Sequence, residues 1–70
     1  MELGKKKIVV LGGGESGTGA AILAQKLNFE IFVSDFSTIP LKYRTLLEEH
    51  GIAFEMNGHS EEQILDADLV

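Results

Sequence analysis

The residues best suited to chemistry lie at positions 12–17, Gly-Gly-Gly-Glu-Ser-Gly, directly after the apolar run KKIVVL. Gly12, Gly14 and Gly17 fit the spacing G-x-G-x-x-G. A glycine weakens a regular element by roughly 0.5–1 kcal/mol relative to alanine, so a cluster of them needs a compensating role. One role is packing, in which missing side chains let a helix lie close to a strand. The other is anion binding, in which a phosphate reaches main-chain N–H groups at the start of a helix. Those groups have no intrahelical partner and stand at the positive end of the helix dipole. The motif is a weak signal alone, but here it follows a predicted strand and opens a predicted helix, the context that it requires. Gly12 then permits the turn out of the strand and Gly14 admits a ligand to the backbone. Gly17, helped by Gly19 and Ala20, lets the helix approach the sheet. A charge-assisted hydrogen bond contributes roughly 1.5–3 kcal/mol net. Two or three of them outweigh repulsion from distant carboxylates, which salt screens over about 10 Å. Phosphate or sugar binding is the favoured reading over packing alone.

Asp35 ends the next predicted strand, about 20 residues beyond the loop, where such folds place an acid that accepts hydrogen bonds from a ribose or a base. The alternative is a solvated or helix-capping acid at a strand end. Glu15 would repel a phosphate if it pointed inward, and is expected to point to solvent or to the ligand's sugar or base. His50 and His59 read as structural, one closing a helix and the other in a turn, and neither has a second metal ligand at useful spacing. Lys5–Lys7 read as a solvated lead-in, and Tyr43 and Arg44 as an exposed helix face. GESG lacks the G-x-S-x-G spacing of a nucleophile elbow, and no lysine follows the loop as in a Walker motif. The expectation is a binding site, with no catalytic and no metal-ligating residue.

The elements that must position this loop follow from hydropathy patterning. Lys6–Gly12 is a short β-branched run that reads as a strand buried on both faces. From Ser16 to Leu27 the period becomes helical, with Ala20, Leu23, Ala24 and Leu27 as the apolar face and Gln25 and Lys26 off it. Asn28 suits a left-handed stop. Glu30–Asp35 is a second strand. A second helix begins near Ser37 or Thr38, takes Pro40 in its first turn, turns Leu46 and Leu47 inward and ends at Gly51. IAFEM is a third strand, a capping box at Ser60 and Gln63 opens a brief third helix, and DLV begins a fourth strand. The order β-α-β-α-β-α-β implies parallel strands joined by right-handed crossovers, an α/β Rossmann-like sheet truncated in its fourth strand.

Seventy residues allow one small domain, 1–70. There is no cysteine, and the apolar share of 44% suits a globular chain. The formal charge of −5 disfavours a nucleic-acid partner. No apolar run approaches the roughly 20 residues of a membrane span, and IVVL is too short for a signal peptide, so a cytoplasmic setting is expected. ILDADLV climbs into apolar residues and stops at Val70, which reads as the N-terminal piece of a longer protein.

The stretch KKIVVLGGGESGTGAAILAQKLNFEIFVSD, continuing to LLEEHGIAFEMNGHSEEQILDADLV, resembles the N-terminal domain of the bacterial muramyl ligases, most closely the D-glutamate-adding branch. The specific parts are the G-x-G-x-[ST]-G-x-[GSA] loop, the VSD strand end and the passage leading to ADLV. The resemblance implies a domain that holds the UDP part of a UDP-muramoyl peptide. Gly14, Glu15, Ser16 and Gly17 would meet the diphosphate and uridine, with backbone N–H groups and the Ser16 hydroxyl as donors. Asp35 would accept from the uracil, with Phe36 and Ser37 beside it. Glu15 and the Phe36-Ser37 pair depart from the family, which often has an apolar residue and a more polar pair there. The family's reaction uses ATP and Mg²⁺, which the resemblance assigns to later domains of the same chain, leaving this piece without a cofactor and without catalysis of its own. The rival reading is an NAD(P)-binding module of a dehydrogenase or transport regulator, with Asp35 on the ribose hydroxyl.

Overall fold

A computed structural model of the chain describes residues 6–59. Strand β1 (Lys7–Leu11), helix α1 (Glu15–Lys26), strand β2 (Glu30–Asp35), helix α2 (Leu41–Glu49) and strand β3 (Ala53–Met56) follow in order. The strands form one parallel sheet in the order β1-β2-β3. Ile8 pairs with Ile31 and Val10 with Val33, so one register carries the apolar residues of both strands to the same face. Two successive right-handed crossovers in one direction place both helices over that face. The fold is Rossmann-like α/β, as the alternation of elements predicts. The third helix and the fourth strand expected from the sequence lie outside the described residues.

Both helices end in the same way, and the sequence explains it. After α1, Asn28 takes a left-handed φ of 75°, and after α2 Gly51 takes one of 68°. In each case the next amide reaches back to the helix: Phe29 N–H donates to the Ala24 carbonyl at 3.2 Å and Ile52 N–H to that of Leu47 at 2.8 Å. This pattern satisfies the last carbonyls and sends the chain back towards the sheet. Ile52 and Leu47, brought together by that turn, are both in the core.

The apolar face of α1 differs from the one that the leucines suggest. Thr18 and Ala21 are the buried residues of the helix, whereas Leu23 and Leu27 are 60% and 64% exposed and Ala20 is exposed. The cause lies in Gly17. A Cβ on Gly17 would fall on the carbonyl oxygen of Gly12, so this position lies directly against the end of β1. At 3.6 residues per turn, fixing Gly17 inward also turns Ala21, Ala24 and Gln25 inward and Leu23 outward. Gln25, expected off the face, is half-buried and donates from its amide to the His50 carbonyl at 2.7 Å. Gly19 and Ala20 face away from the sheet and play no part in the close approach.

Four smaller expectations are also revised. Leu47 is fully buried as predicted, but Leu46 is 38% exposed. α2 starts at Leu41 with Pro40 as its N-cap and no side-chain cap, because proline fixes its own φ (−53°) and prepares the turn without Ser37 or Thr38. Tyr43 and Arg44 are half-buried: Tyr43 packs on the core and Arg44 Nε donates to the Ile39 carbonyl at 2.9 Å. In β1 only Val9 is fully buried, and Lys7 is half-buried with its ammonium 5.9 Å from the centre of the Phe32 ring rather than simply solvated.

Two paired substitutions check this packing. Gly17→Ala is expected to destabilise the chain by about 1–3 kcal/mol through overpacking. Gly19→Ala, which meets nothing within 4 Å, should stabilise it by about 0.5–1 kcal/mol through helix propensity. Leu47→Ala should cost about 2–5 kcal/mol and Leu46→Ala much less, both read from denaturant midpoints.

Candidate functional site

Three chain segments converge at the carboxyl end of the sheet: the glycine loop after β1, residues 35–38 after β2 and the turn at residues 57–59 after β3. Main-chain hydrogen bonds zip them together. Gly12 N–H donates to the Ser34 carbonyl at 2.7 Å, Asn57 N–H to that of Ser37 at 3.0 Å, and Gly58 N–H to that of Asp35 at 3.2 Å. The hydroxyl of Thr38 adds a bond to the side-chain oxygen of Asn57 at 2.9 Å. Asn57 and Gly58 adopt positive φ, which makes the turn sharp enough to meet the second loop.

The glycine loop is built as its spacing predicts. Gly12 has a φ of 111°, a conformation that residues with a Cβ rarely adopt, and it turns the chain out of β1. Gly13 is buried beneath Ile39, whose side chain occupies the space that a Cβ would need. Gly14 is the N-cap of α1. It has an ordinary φ of −79° and open space where a Cβ would stand. With no side chain there, the first amides of α1 have no side-chain cap. Glu15, Ser16 and Gly17 supply these amides, and the side chains of Glu15 and Ser16 are exposed. The Thr18 hydroxyl turns back to the Gly13 carbonyl at 3.2 Å and secures the other side of the loop.

Asp35 has a role that the sequence did not single out. Its Oδ2 accepts from Gly13 N–H at 2.7 Å and its Oδ1 from Ser37 N–H at 2.8 Å. The carboxylate therefore ties the glycine loop to the loop after β2. Bonding to the Gly13 amide, then to that of Ser37, holds the Asp35 carboxyl below the ordinary aspartate range against the opposing effect of burial, with a smaller contribution from the charge of His59. A carboxylate has about four acceptor positions, so two remain for a ligand. Phe36 and Ser37 follow it on the exposed side, Phe36 being 75% exposed.

Beneath them lies a polar cluster that sequence reasoning missed. Ser34 is fully buried, and its Oγ lies 2.7 Å from Glu55 Oε2 and 2.5 Å from His59 Nδ1. The His59 ring stands 5.8 Å from that of Phe36 at an interplanar angle of 37°. The only signal in the sequence was a serine following the apolar run Ile31–Val33 of the second strand. This is no nucleophilic triad: the serine oxygen is sealed, and the acid bonds the serine rather than the imidazole. His50 is structural as expected, its Nδ1 lying 2.9 Å from the Leu46 carbonyl at the end of α2. Among the described residues no group of three His, Cys, Asp or Glu could hold a metal ion.

The acid behaviour of Asp35 follows from its bonds. Its pKa is lowered on folding, so it stabilises the folded chain fully above the ordinary value of 3.8. That contribution is lost as the pH falls through the lowered folded value. Asp35→Asn, which can no longer accept at both oxygens, should cost about 1 kcal/mol at neutral pH and flatten the loss of stability in acid. Denaturant melts of both proteins across the acid range would show it, and parallel pH profiles would refute it.

Comparisons with known proteins agree with this geometry. A family model described as the MurD N-terminal domain matches residues 7–70. The UDP-N-acetylmuramoylalanine--D-glutamate ligase of Bacteroides fragilis is 63% identical over 65 residues, which cover 93% of this chain and 15% of that protein. The protein of the same name from Bacteroides thetaiotaomicron is 58% identical over 65 residues, again 93% of this chain and 15% of the relative. That of Chlorobium chlorochromatii is 43% identical over 69 residues, 99% of this chain and 15% of the relative. The chain thus spans about 15% of the length of these curated relatives. No solved structure matches. Carrying the family's pattern from its first strand onwards, the chain belongs to the MurD N-terminal domain family.

Proposed function

We propose that the chain is the domain that holds the UDP part of the substrate in a ligase adding D-glutamate to UDP-N-acetylmuramoyl-L-alanine, a step of peptidoglycan precursor synthesis in the cytoplasm. One observation carries the reading. Gly12, Gly13 and Gly17 each have a reason within the protein for lacking a side chain, whereas Gly14 has an ordinary φ and open space around it. A glycine at this N-cap leaves the backbone open to a ligand that comes close. The uncapped amides of Glu15, Ser16 and Gly17, with that of Gly14 and the exposed Ser16 hydroxyl, suit the oxygens of a diphosphate. Asp35, Phe36 and Ser37 border the same edge and suit the uridine. The names of the relatives support the ligase reading over the NAD(P)-binding one.

In the parent enzyme ATP would phosphorylate the substrate carboxylate, and the amine of D-glutamate would displace phosphate from the acyl phosphate, with Mg²⁺ balancing charge. The described residues do not fit that part of the chemistry. They bring no metal-ligating group together, and the glycine loop lacks the lysine of an ATP-binding P-loop. The role of this chain is to bind and orient the UDP end, and later domains of the same protein are its partners.

Titration of the chain with UDP and with NAD tests the reading. UDP is expected to shift the amide resonances of residues 14–17, and NAD to bind more weakly. Gly14→Ala should change stability by less than about 1 kcal/mol while lowering UDP affinity about tenfold or more, a loss of at least about 1.4 kcal/mol. Stronger binding of NAD than of UDP would overturn it.

A further inference from the structure

The turn after β3 reads Asn57-Gly58, a pair whose chemistry the binding reading does not use. The side-chain amide of an asparagine lies within reach of the main-chain nitrogen of the next residue, and that nitrogen can close on it when nothing shields it. Glycine shields it least, because it has no Cβ. The chain holds two asparagines, Asn28 and Asn57, and they form an internal comparison. Both are exposed, and both take a left-handed φ, 75° and 66°. In both cases the following amide is bonded to a main-chain carbonyl: Phe29 N–H to that of Ala24 and Gly58 N–H to that of Asp35, each at 3.2 Å. What differs is the next residue, a phenylalanine in one case and a bare backbone in the other. The closed turn nevertheless keeps the two reacting groups of Asn57-Gly58 occupied. The Gly58 proton is on the Asp35 carbonyl, Asn57 Oδ1 accepts from the Thr38 hydroxyl at 2.9 Å, and Asn57 N–H is on the Ser37 carbonyl at 3.0 Å. Attack requires the nitrogen to lose its proton and the side chain to swing to it, so these bonds must open first. Exposed loop bonds open locally without unfolding of the whole chain.

We propose that Asn57 is a site of covalent modification, converted through a cyclic imide to aspartate and isoaspartate at a rate set by opening of the turn that Ser37, Thr38 and Asp35 hold shut. The Gly58 nitrogen gives its proton to a solvent base and attacks Cγ of Asn57. The N–Cγ bond forms, the Cγ–Nδ2 bond breaks, and the side-chain nitrogen leaves as ammonia after taking up a proton. Water then opens the imide. Cleavage of the new N–Cγ bond restores the ordinary main chain with aspartate, and cleavage at the α-carbonyl leaves the chain running through Cγ as isoaspartate. Either product adds a negative charge to the turn that is zipped to the Asp35 loop. Isoaspartate also inserts a methylene between the two amides, so that they no longer match the carbonyls of Ser37 and Asp35 together. The inference stands on the turn itself and is independent of the nucleotide reading.

The test incubates the folded chain, and the same chain in denaturant, at mildly alkaline pH. Peptide mass mapping follows residues 28 and 57, and enzymatic methyl transfer reads isoaspartate. In the folded chain product is expected at Asn57 and not at Asn28. Its rate should lie at least about tenfold below that in denaturant, as the loss of several weak bonds before reaction implies. Thr38→Val removes the donor to Oδ1 and should speed conversion of the folded chain about fivefold, the effect of one ordinary hydrogen bond. Thr38→Ser keeps a hydroxyl and should retain the rate of the parent chain. Equal conversion at Asn28 and Asn57 would overturn the role of Gly58. A folded rate equal to the denatured one, or a Thr38→Val chain that is folded by its amide spectrum and no faster than the parent, would overturn the gate. An intact Asn57 in the folded chain, long after the denatured chain and folded Thr38→Val have converted, would overturn the assignment of the site in the native protein.

Discussion

The carboxyl edge of the sheet depends on how closely α1 meets the end of β1. That closeness is possible because Gly17 lies against the carbonyl of Gly12 with no Cβ between them. The contact is made by backbone on both sides, so it is rigid, and it fixes both the distance and the rotation of the helix. Rotation decides which side chains face the sheet, and here the small ones do: Thr18 and Ala21 are buried while Leu23 and Leu27 remain outside. Distance decides where the first amides of the helix stand. They are brought to the rim of the sheet, beside the loop after β2, instead of being held off by a layer of large side chains.

A helix start placed in this way still needs a loop of fixed shape before it. Asp35 provides one constraint and Ile39 the other. The carboxylate takes the Gly13 amide, and the Ile39 side chain closes over the same residue. Both come from the segment that follows β2, so the second βα unit shapes the loop of the first. The third strand adds its turn through Asn57 and Gly58. The edge is thus a single hydrogen-bonded assembly of three loops, and a ligand lying on any one of them would be sensed by the others.

Much of this was legible in the sequence because it depends on local chemistry. The bounds of β2 were readable to the residue, since Asn28 before it and the polar residues after it interrupt a β-branched run. The stops at Asn28 and Gly51 followed from the few residues that tolerate a left-handed φ. The roles of Gly12 and Gly17 followed from the spacing of their motif. The inward face of α1 did not, because hydropathy weights leucine over alanine and threonine, while the geometry favours whichever residues share the side of Gly17. Leu46 misled in the same way. Tyr43 and Arg44 were mistaken for a solvated face because the polar end of Tyr43 conceals an apolar ring that packs, and Arg44 turns its guanidinium to a main-chain carbonyl. Ser34, Glu55 and His59 were illegible as a group, since nothing in a linear sequence states that the end of one strand, the next strand and the turn after it meet in one hydrogen-bonded cluster.

The acidity of the chain, eleven carboxylates against six basic residues, sits uneasily with the proposed anion site. The geometry resolves it locally. Asp35, whose carboxylate reaches the glycine loop, has each oxygen bonded to a main-chain amide, so its charge is spread over donors before any ligand arrives. Of the loop's amides it takes that of Gly13 alone and leaves those of residues 14–17 clear of its carboxylate. Glu15 lies in the first turn of α1, where the helix dipole favours its charge, and its side chain is exposed to water and screened. Had Asp35 lacked its two amides, the same residue would have been a bare charge at the rim, repelling the diphosphate proposed to lie beside it. A carboxylate can stand next to the proposed diphosphate site when its first partners are main-chain N–H groups, and here the fold provides them.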